Sequence, residues 1–173
     1  MIEKKEKENL IYSGKIITVR QDDVILENGI NAKREIVIHP GAVAILVRKD
    51  NYIWLVKQFR YSMGEYVLEI PAGKIDKGEL PIDAAIRELK EEIGFIPNNL
   101  KELGEIYPTP GYTNEVIYLY FVDDFTKGKI NPDEDEFIDI LKVKVEDFIQ
   151  LIQENKIKDS KTIVAFYKHL LIK

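Results

Sequence analysis

A chain of 173 residues, with 45% hydrophobic and 32% charged residues, is long enough to bury a core of its own and reads as an ordinary globular protein. It holds no cysteine, which excludes disulfides, a zinc–thiolate site and a cysteine nucleophile, and suits a reducing cytoplasm. A net charge of −5 argues against sequence-independent nucleic-acid binding, and a polyphosphate substrate would need cations to hold it.

Residues 1–9, nearly all polar, are expected to fray. They lack an apolar signal core, and no apolar run approaches the roughly 18 residues of a membrane span, so neither secretion nor a membrane partner is expected. Lys15 to Arg20, Asp22 to Glu27 and Lys33 to His39 read as strands, with Asn28-Gly29 as a hairpin turn because both residues tolerate positive φ. Three short strands have little core of their own, so residues 1–40 are expected to be an antiparallel appendage that packs on another surface, with the main domain over 41–173. Ala42 to Arg48 is almost wholly apolar, the mark of a strand covered on both faces. Tyr52 to Phe59 and Tyr66 to Ile70 follow as strands, the second ended by Pro71.

The next helix is expected over Pro81 to Ile93, with proline in its first turn and Gly94 just past its end. At 100° per residue, Ile82, Ala85, Ile86, Leu89 and Ile93 make one stripe, expected to face the core. Glu88, Glu91 and Glu92 fall on an arc of about 100° beside it. Like charges at these spacings cost a helix roughly 0.2–0.5 kcal/mol per pair, which Arg87 offsets in part at i,i+4 from Glu91. Three carboxylates held together despite this repulsion suit a hard divalent cation, and Ala84 on the same arc leaves room for ions and ligand. The alternative is a solvated acidic face. Leu103 to Tyr107, Val116 to Val122 and Phe137 to Val143 then read as strands, and Val145 to Glu154 and Ser160 to Leu171 as amphipathic helices, with Ser160 as a candidate N-cap. This order predicts an α+β layer fold with helices on a mixed sheet.

The glutamates sit in a longer pattern, G-x5-E-x7-R-E-L-x-E-E-x-G-F, from Gly73 to Phe95. It resembles without departure the Nudix box of the Nudix hydrolases, which cleave nucleoside diphosphates linked to another moiety. The loop is not a phosphate-cradling P-loop, because Glu79-Leu80 follows Gly78 where Lys-Ser/Thr is required. The resemblance implies a Nudix-type α/β/α sandwich, with Glu88, Glu91, Glu92 and the Ala72 carbonyl as ligands of Mg²⁺, for which Mn²⁺ can substitute. It also implies that Arg87 orients the glutamates. Bound ions of this kind neutralise phosphate charge and acidify the attacking water.

The flanks resemble the ADP-ribose pyrophosphatase group. They are Arg34-Glu35 with His39-Pro40-Gly41-Ala42-Val43, Gln58-Phe59-Arg60 leading to Glu69-Ile70-Pro71-Ala72-Gly73, and Thr109-Pro110-Gly111-Tyr112-Thr113-Asn114-Glu115. Serine is commoner in that group at the position of Thr109. By this resemblance Arg34, Arg60, Glu69, Gly111 and Glu115 contact substrate. Arginine suits stacking and bidentate phosphate contact alike. The acidic loop Asp133-Glu134-Asp135-Glu136 supplies the general base, Glu134 first and Glu136 second. The resemblance also implies that the residues 1–40 sheet joins two subunits into a homodimer. The implied substrate is ADP-ribose, with a nucleotide sugar, NADH or a flavin dinucleotide as alternatives, and a non-catalytic nucleotide sensor as a more distant one. His39 and His169 read as structural.

Overall fold

The computed structural model describes residues 2–131 and 137–171. The chain divides into two compact units, Met1–Gly41 with Tyr107–Val116, and Ala42–Ile106 with Ile117–Lys173.

The first unit is a three-stranded antiparallel sheet of β1 (Lys4–Ser13), β2 (Thr18–Ile25) and β3 (Asn31–Ile38), in that order. The Asn28-Gly29 turn is present: Gly29 has φ 81°, the Leu26 N–H donates to the Ile30 carbonyl at 2.9 Å, and the Ile30 N–H donates to Asn28 Oδ1 at 3.1 Å. Two expectations fail here. Lys15–Arg20 and Asp22–Glu27 are not two strands: Thr18–Arg20 and Asp22–Ile25 lie in the one continuous β2, and residues expected to fray form β1. Two polar side chains help hold β1 by finding cross-strand partners. Glu8 meets Arg20 at 2.7 Å, and the Asn9 amide donates to Asp23 at 3.0 Å. The Pro110 segment is tied to β3, since the Val37 N–H donates to the Tyr112 carbonyl at 2.7 Å and the Asn114 amide N–H donates back to the Val37 carbonyl at 3.3 Å.

The second unit is a mixed sheet between helices, as expected. Its strands are β4 (Ala42–Lys49), β5 (Tyr52–Arg60), β6 (Glu65–Glu69), β7 (Ala72–Lys74), β9 (Lys101–Ile106), β10 (Ile117–Val122) and β12 (Ile138–Lys144). The path is β12-β5-β4-β10-β9, with β10 parallel to β4. The β4–β5 ladder runs only from Lys49↔Tyr52 to Val47↔Trp54. Beyond it the two strands part: β4 pairs with β7 through Ala44↔Ala72, and β5 pairs with β6 through Val56↔Glu69. Two short strands, β8 (Phe95–Pro97) and β11 (Phe125–Lys127), make a separate ribbon that the sequence pattern did not reveal. They stack Phe95 on Phe125 at 4.1 Å, with Trp54 edge-on to both.

Alternation along β4 feeds two cores. Ala44 and Leu46 join the cluster of α2 (Val145–Gln153) and α3 (Ser160–Leu171), where Phe148 meets Phe166 at 4.8 Å. Val43, Ile45 and Val47 join the opposite cluster, under α1 (Pro81–Ile93). The cap of α3 is Asp159 rather than Ser160, since Asp159 Oδ2 accepts the Thr162 N–H at 3.0 Å.

Helix α1 has the expected bounds, but its inward face is turned from the expected stripe. Ala84, Ala85, Glu88, Leu89, Glu92 and Ile93 are buried, while Ile82 and Ile86 stay 40% and 39% exposed. Ala84 is therefore packed in the core and provides no room for ions. The cause is polar: Glu88 and Glu92 are drawn to the backbone of residues 72–73, which rotates their row inward. The helix ends as expected at Gly94, with φ 69° and its N–H on the Lys90 carbonyl at 3.1 Å. Gly94→Ala is expected to lower stability by about 1 kcal/mol in urea titration, because only glycine takes that backbone conformation without penalty.

Candidate active site

The site is built on the turn from β7 into α1. Gly73 approaches Glu88 so closely that a Cβ there would overlap its carboxylate. This close approach, rather than backbone freedom, is why the position is glycine. The adjacent Ala72 N–H donates to Glu92 Oε2 at 3.0 Å. Glu88 and Glu92 are only 8% and 4% exposed, an unusual location for carboxylates on a helix.

Arg87 is the hub. Its Nε and Nη2 donate to the two oxygens of Glu79, both at 2.9 Å, and Nη2 also donates to the Lys74 carbonyl at 3.0 Å. Its Nη1 reaches Glu88 at 2.7 Å and Glu91 at 3.1 Å. The hydrogen bond to Glu79, with those to Glu88 and Glu91, raises the guanidinium above its already high ordinary value, so it is permanently charged. Glu79 in turn accepts the Asp76 N–H at 2.9 Å, which closes the glycine loop, and Arg87 holds its carboxyl below the usual range. Sequence reasoning placed Glu79 in the pattern without a role. Its fixed offset from Gly73 was the available signal.

The donor set fits a hard divalent cation. It consists of buried carboxylates and a strand carbonyl at Ala72, with no soft ligand among them. Among the described residues, no three acidic or histidine side chains stand in a ready-made ligating group. Glu88 and Glu91 share one arginine nitrogen instead, so an ion drawing on both would compete with Arg87 for them.

Beside this turn, Arg60 and Glu69 form a second cluster across β5 and β6. Arg60 Nε and Nη2 donate to Glu69 Oε1 and Oε2 at 2.6 and 2.9 Å, and Lys161 of α3 also bonds Glu69. Burial opposes ionisation of Glu69, yet the hydrogen bonds and charges of Arg60 and Lys161 outweigh it and hold the carboxyl below its ordinary value. Arg60 is raised chiefly by Glu69 and also feels the charge of Glu92, which links the two clusters electrostatically. The Arg60–Glu69 cluster lines a cavity of about 510 Å³ that also includes Tyr66, Lys158 and Lys161 in its walls.

The structure thus brings together Arg60, Glu69, Ala72, Arg87, Glu88, Glu91 and Glu92 in the second unit. Arg34, Gly111 and Glu115 belong to the first unit. Arg34 lies on β3 opposite Asp22 and donates to Glu3 through Nε at 2.9 Å. Gly111 has open space where a Cβ would stand. Glu115 Oε1 is 3.6 Å from His39 Nδ1. Glu134 and Glu136 lie outside the described residues.

A glycine loop entering a glutamate-faced helix, on a mixed sheet between helical layers, defines a hydrolase class, and the comparisons give the family. The family model described as NUDIX domain matches residues 37–166. The chain belongs to the Nudix family and is a Nudix hydrolase. A solved structure titled "Crystal structure of ADP compounds hydrolase" covers 99% of this chain and 94% of its own at a TM-score of 0.88 with 23% identity, a likeness of fold. The methanol dehydrogenase activator of Bacillus methanolicus is 41% identical over 166 residues, spanning 94% of this chain and 90% of that protein. The ADP-ribose pyrophosphatase of Bacillus subtilis (strain 168) is 40% identical with the same coverage. The resemblance carried by Gly73–Phe95 and its flanks is borne out at the level of family and group.

Because Glu69 is depressed in the fold, the stabilisation it provides is complete above the ordinary carboxylate range and is lost as pH falls through its lowered folded value. Glu69→Gln lacks it. Thermal midpoints of wild type and variant, recorded across pH, are expected to differ most near neutrality and to converge on acidification.

Proposed function

We propose that this chain hydrolyses the pyrophosphate bond of ADP-ribose to AMP and ribose 5-phosphate, with Mg²⁺ as cofactor and Mn²⁺ able to replace it. The observation that carries the reading is the Gly73 turn, which packs backbone against two buried glutamates, Glu88 braced by Arg87 and Glu92 held by the Ala72 N–H. The 40% identical ADP-ribose pyrophosphatase supports the choice of substrate. Glu88, Glu91, Glu92 and the Ala72 carbonyl would hold the metal. When bound, it neutralises the phosphates, acidifies the attacking water and stabilises the leaving oxygen.

The chain's own residues do the rest. Arg87 holds Glu88 and Glu91 in orientation. Arg60 pairs with Glu69 through Nε and Nη2, which leaves the N–H groups of Nη1 outside that pair for a substrate phosphate. Glu69 sets the plane of that guanidinium. Arg34, Gly111 and Glu115 complete substrate binding, Arg34 with its guanidinium and Glu115 by accepting from a ribose hydroxyl. Glu134, or after it Glu136, takes the proton of the attacking water. The enzyme works in the cytoplasm, without nucleic acid or membrane, as a homodimer joined through residues 1–40. Exposed Leu10, Ile11 and Tyr12 on β1 supply apolar surface for that contact. The domain division is then 1–40 for dimerisation and 41–173 for catalysis.

With ADP-ribose and Mg²⁺ in ¹⁸O-water, AMP and ribose 5-phosphate are expected, one of them labelled. A faster rate on GDP-mannose, NADH or flavin adenine dinucleotide would transfer the reading to that substrate. Glu92→Gln is expected to lower turnover by roughly two or more orders of magnitude with an unchanged far-ultraviolet circular dichroism spectrum. Retained turnover would refute the metal assignment. In sedimentation at micromolar concentration a dimer mass is expected, and a monomer would refute the dimer.

A further inference from the structure

The link between β6 and β7 is two residues long, Ile70-Pro71, and it joins the Arg60–Glu69 cluster to the box loop. Pro71 has no N–H. The donors around this link are therefore the Ile70 and Ala72 N–H groups. The Ala72 N–H goes to Glu92. The Ile70 N–H goes to the hydroxyl of Thr162 on α3 at 2.9 Å, across 92 positions of sequence.

We propose that Asp159, Lys161 and Thr162 at the start of α3 are positioning residues for the reaction: Lys161 fixes Arg60 through Glu69 for substrate binding, and Thr162 fixes the Ile70–Ala72 link beside Glu92 for turnover. The proposal rests on the pyrophosphatase reading above.

Every proton in this network has one direction. Thr162 is fully buried, and its hydroxyl has one hydrogen. That hydrogen goes to Asp159 Oδ2 at 2.6 Å, so the oxygen is left to accept from Ile70. Asp159 also accepts the Thr162 N–H at 3.0 Å and, through Oδ1, Lys161 at 2.9 Å. Lys161 bridges onward to Glu69, which Arg60 grips from the other side. A hydroxyl or carboxylate placed this way cannot shift without stranding a partner, so one geometry is selected.

Packing alone does not require such a set. Glu69 is 2% exposed, and Lys161 and Asp159 side chains are 13% and 15% exposed. One cation and two carboxylates at that depth cost desolvation, and apolar residues of similar volume often stabilise as well or better. What the ion pairs provide and apolar residues cannot is a defined direction for the Arg60 guanidinium and for the Ile70 amide.

The two arms touch different functions, so their loss separates the kinetic constants. The assay uses ADP-ribose, or whichever compound of the panel the wild type cleaves fastest if ADP-ribose is not it. Lys161→Met is expected to raise KM roughly tenfold with kcat held within about twofold. Thr162→Val is expected to lower kcat roughly tenfold with KM held within about twofold. Lys161→Arg and Thr162→Ser, which retain the donors, are expected to return within about threefold of wild type. Thermal midpoints are measured alongside, and Lys161→Gln replaces Lys161→Met if the latter does not fold at the assay temperature. The proposal is overturned if both variants change the same constant, if neither changes either, or if the conservative variants fare no better than the disruptive ones. A wrong substrate shows itself in the wild type, before any variant is compared.

Discussion

One close approach organises the second unit: the backbone of Ala72 and Gly73 lying against Glu88 and Glu92. Two carboxylates of a short helix are held out of water there, at a cost that only hydrogen bonds and cations can offset. Arg87 supplies the cation, on Glu88, and the Ala72 N–H supplies a hydrogen bond, to Glu92. From this contact follow the absence of a side chain at residue 73, the inward rotation of α1 and the exposure of Ile82 and Ile86. The helix faces the core with the row its carboxylates dictate, not the row that is most apolar.

The same logic extends outward through Arg87. Its five donors are spread over three carboxylates and one carbonyl, which belong to the loop and to the helix it introduces. A loop of six residues between β7 and α1 would otherwise have little to fix it. Here Glu79 is both the partner of Arg87 and the acceptor of the Asp76 N–H, so one side chain closes the turn and orients the hub. Lysine could not replace this arginine, because a point charge cannot present planar, divergent N–H pairs.

Much of this was legible in the sequence, and unevenly. The bounds of α1, the doubly covered β4 and the Asn28-Gly29 turn follow from local rules: a proline start, a glycine stop, an apolar run, a turn dipeptide. The family follows from residue spacing in Gly73–Phe95. What escaped was decided by partners distant in sequence. The first half of β1, Lys4 to Asn9, is wholly polar and is read as a strand only once Arg20 and Asp23 are opposite it. Ala84 and Ile82 exchanged roles because periodicity gives a stripe's width but not which carboxylates the fold will draw inward. The Thr162–Ile70 bond joins residues whose proximity no local pattern announces. The three-residue strands β8 and β11 are too short to show alternation.

The parting of β4 and β5 has one more consequence. Each strand of the fork carries its own short companion, β7 on β4 and β6 on β5, and these companions are consecutive in the chain. Two residues span the fork. One added residue would reverse the side-chain parity of β7 relative to β6, turning the face of Gly73 that meets Glu88 away from α1. The fork is therefore a ruler of fixed length, and changes of chain length in this unit have to be absorbed at other connections, such as the turns at 61–64 and 154–159.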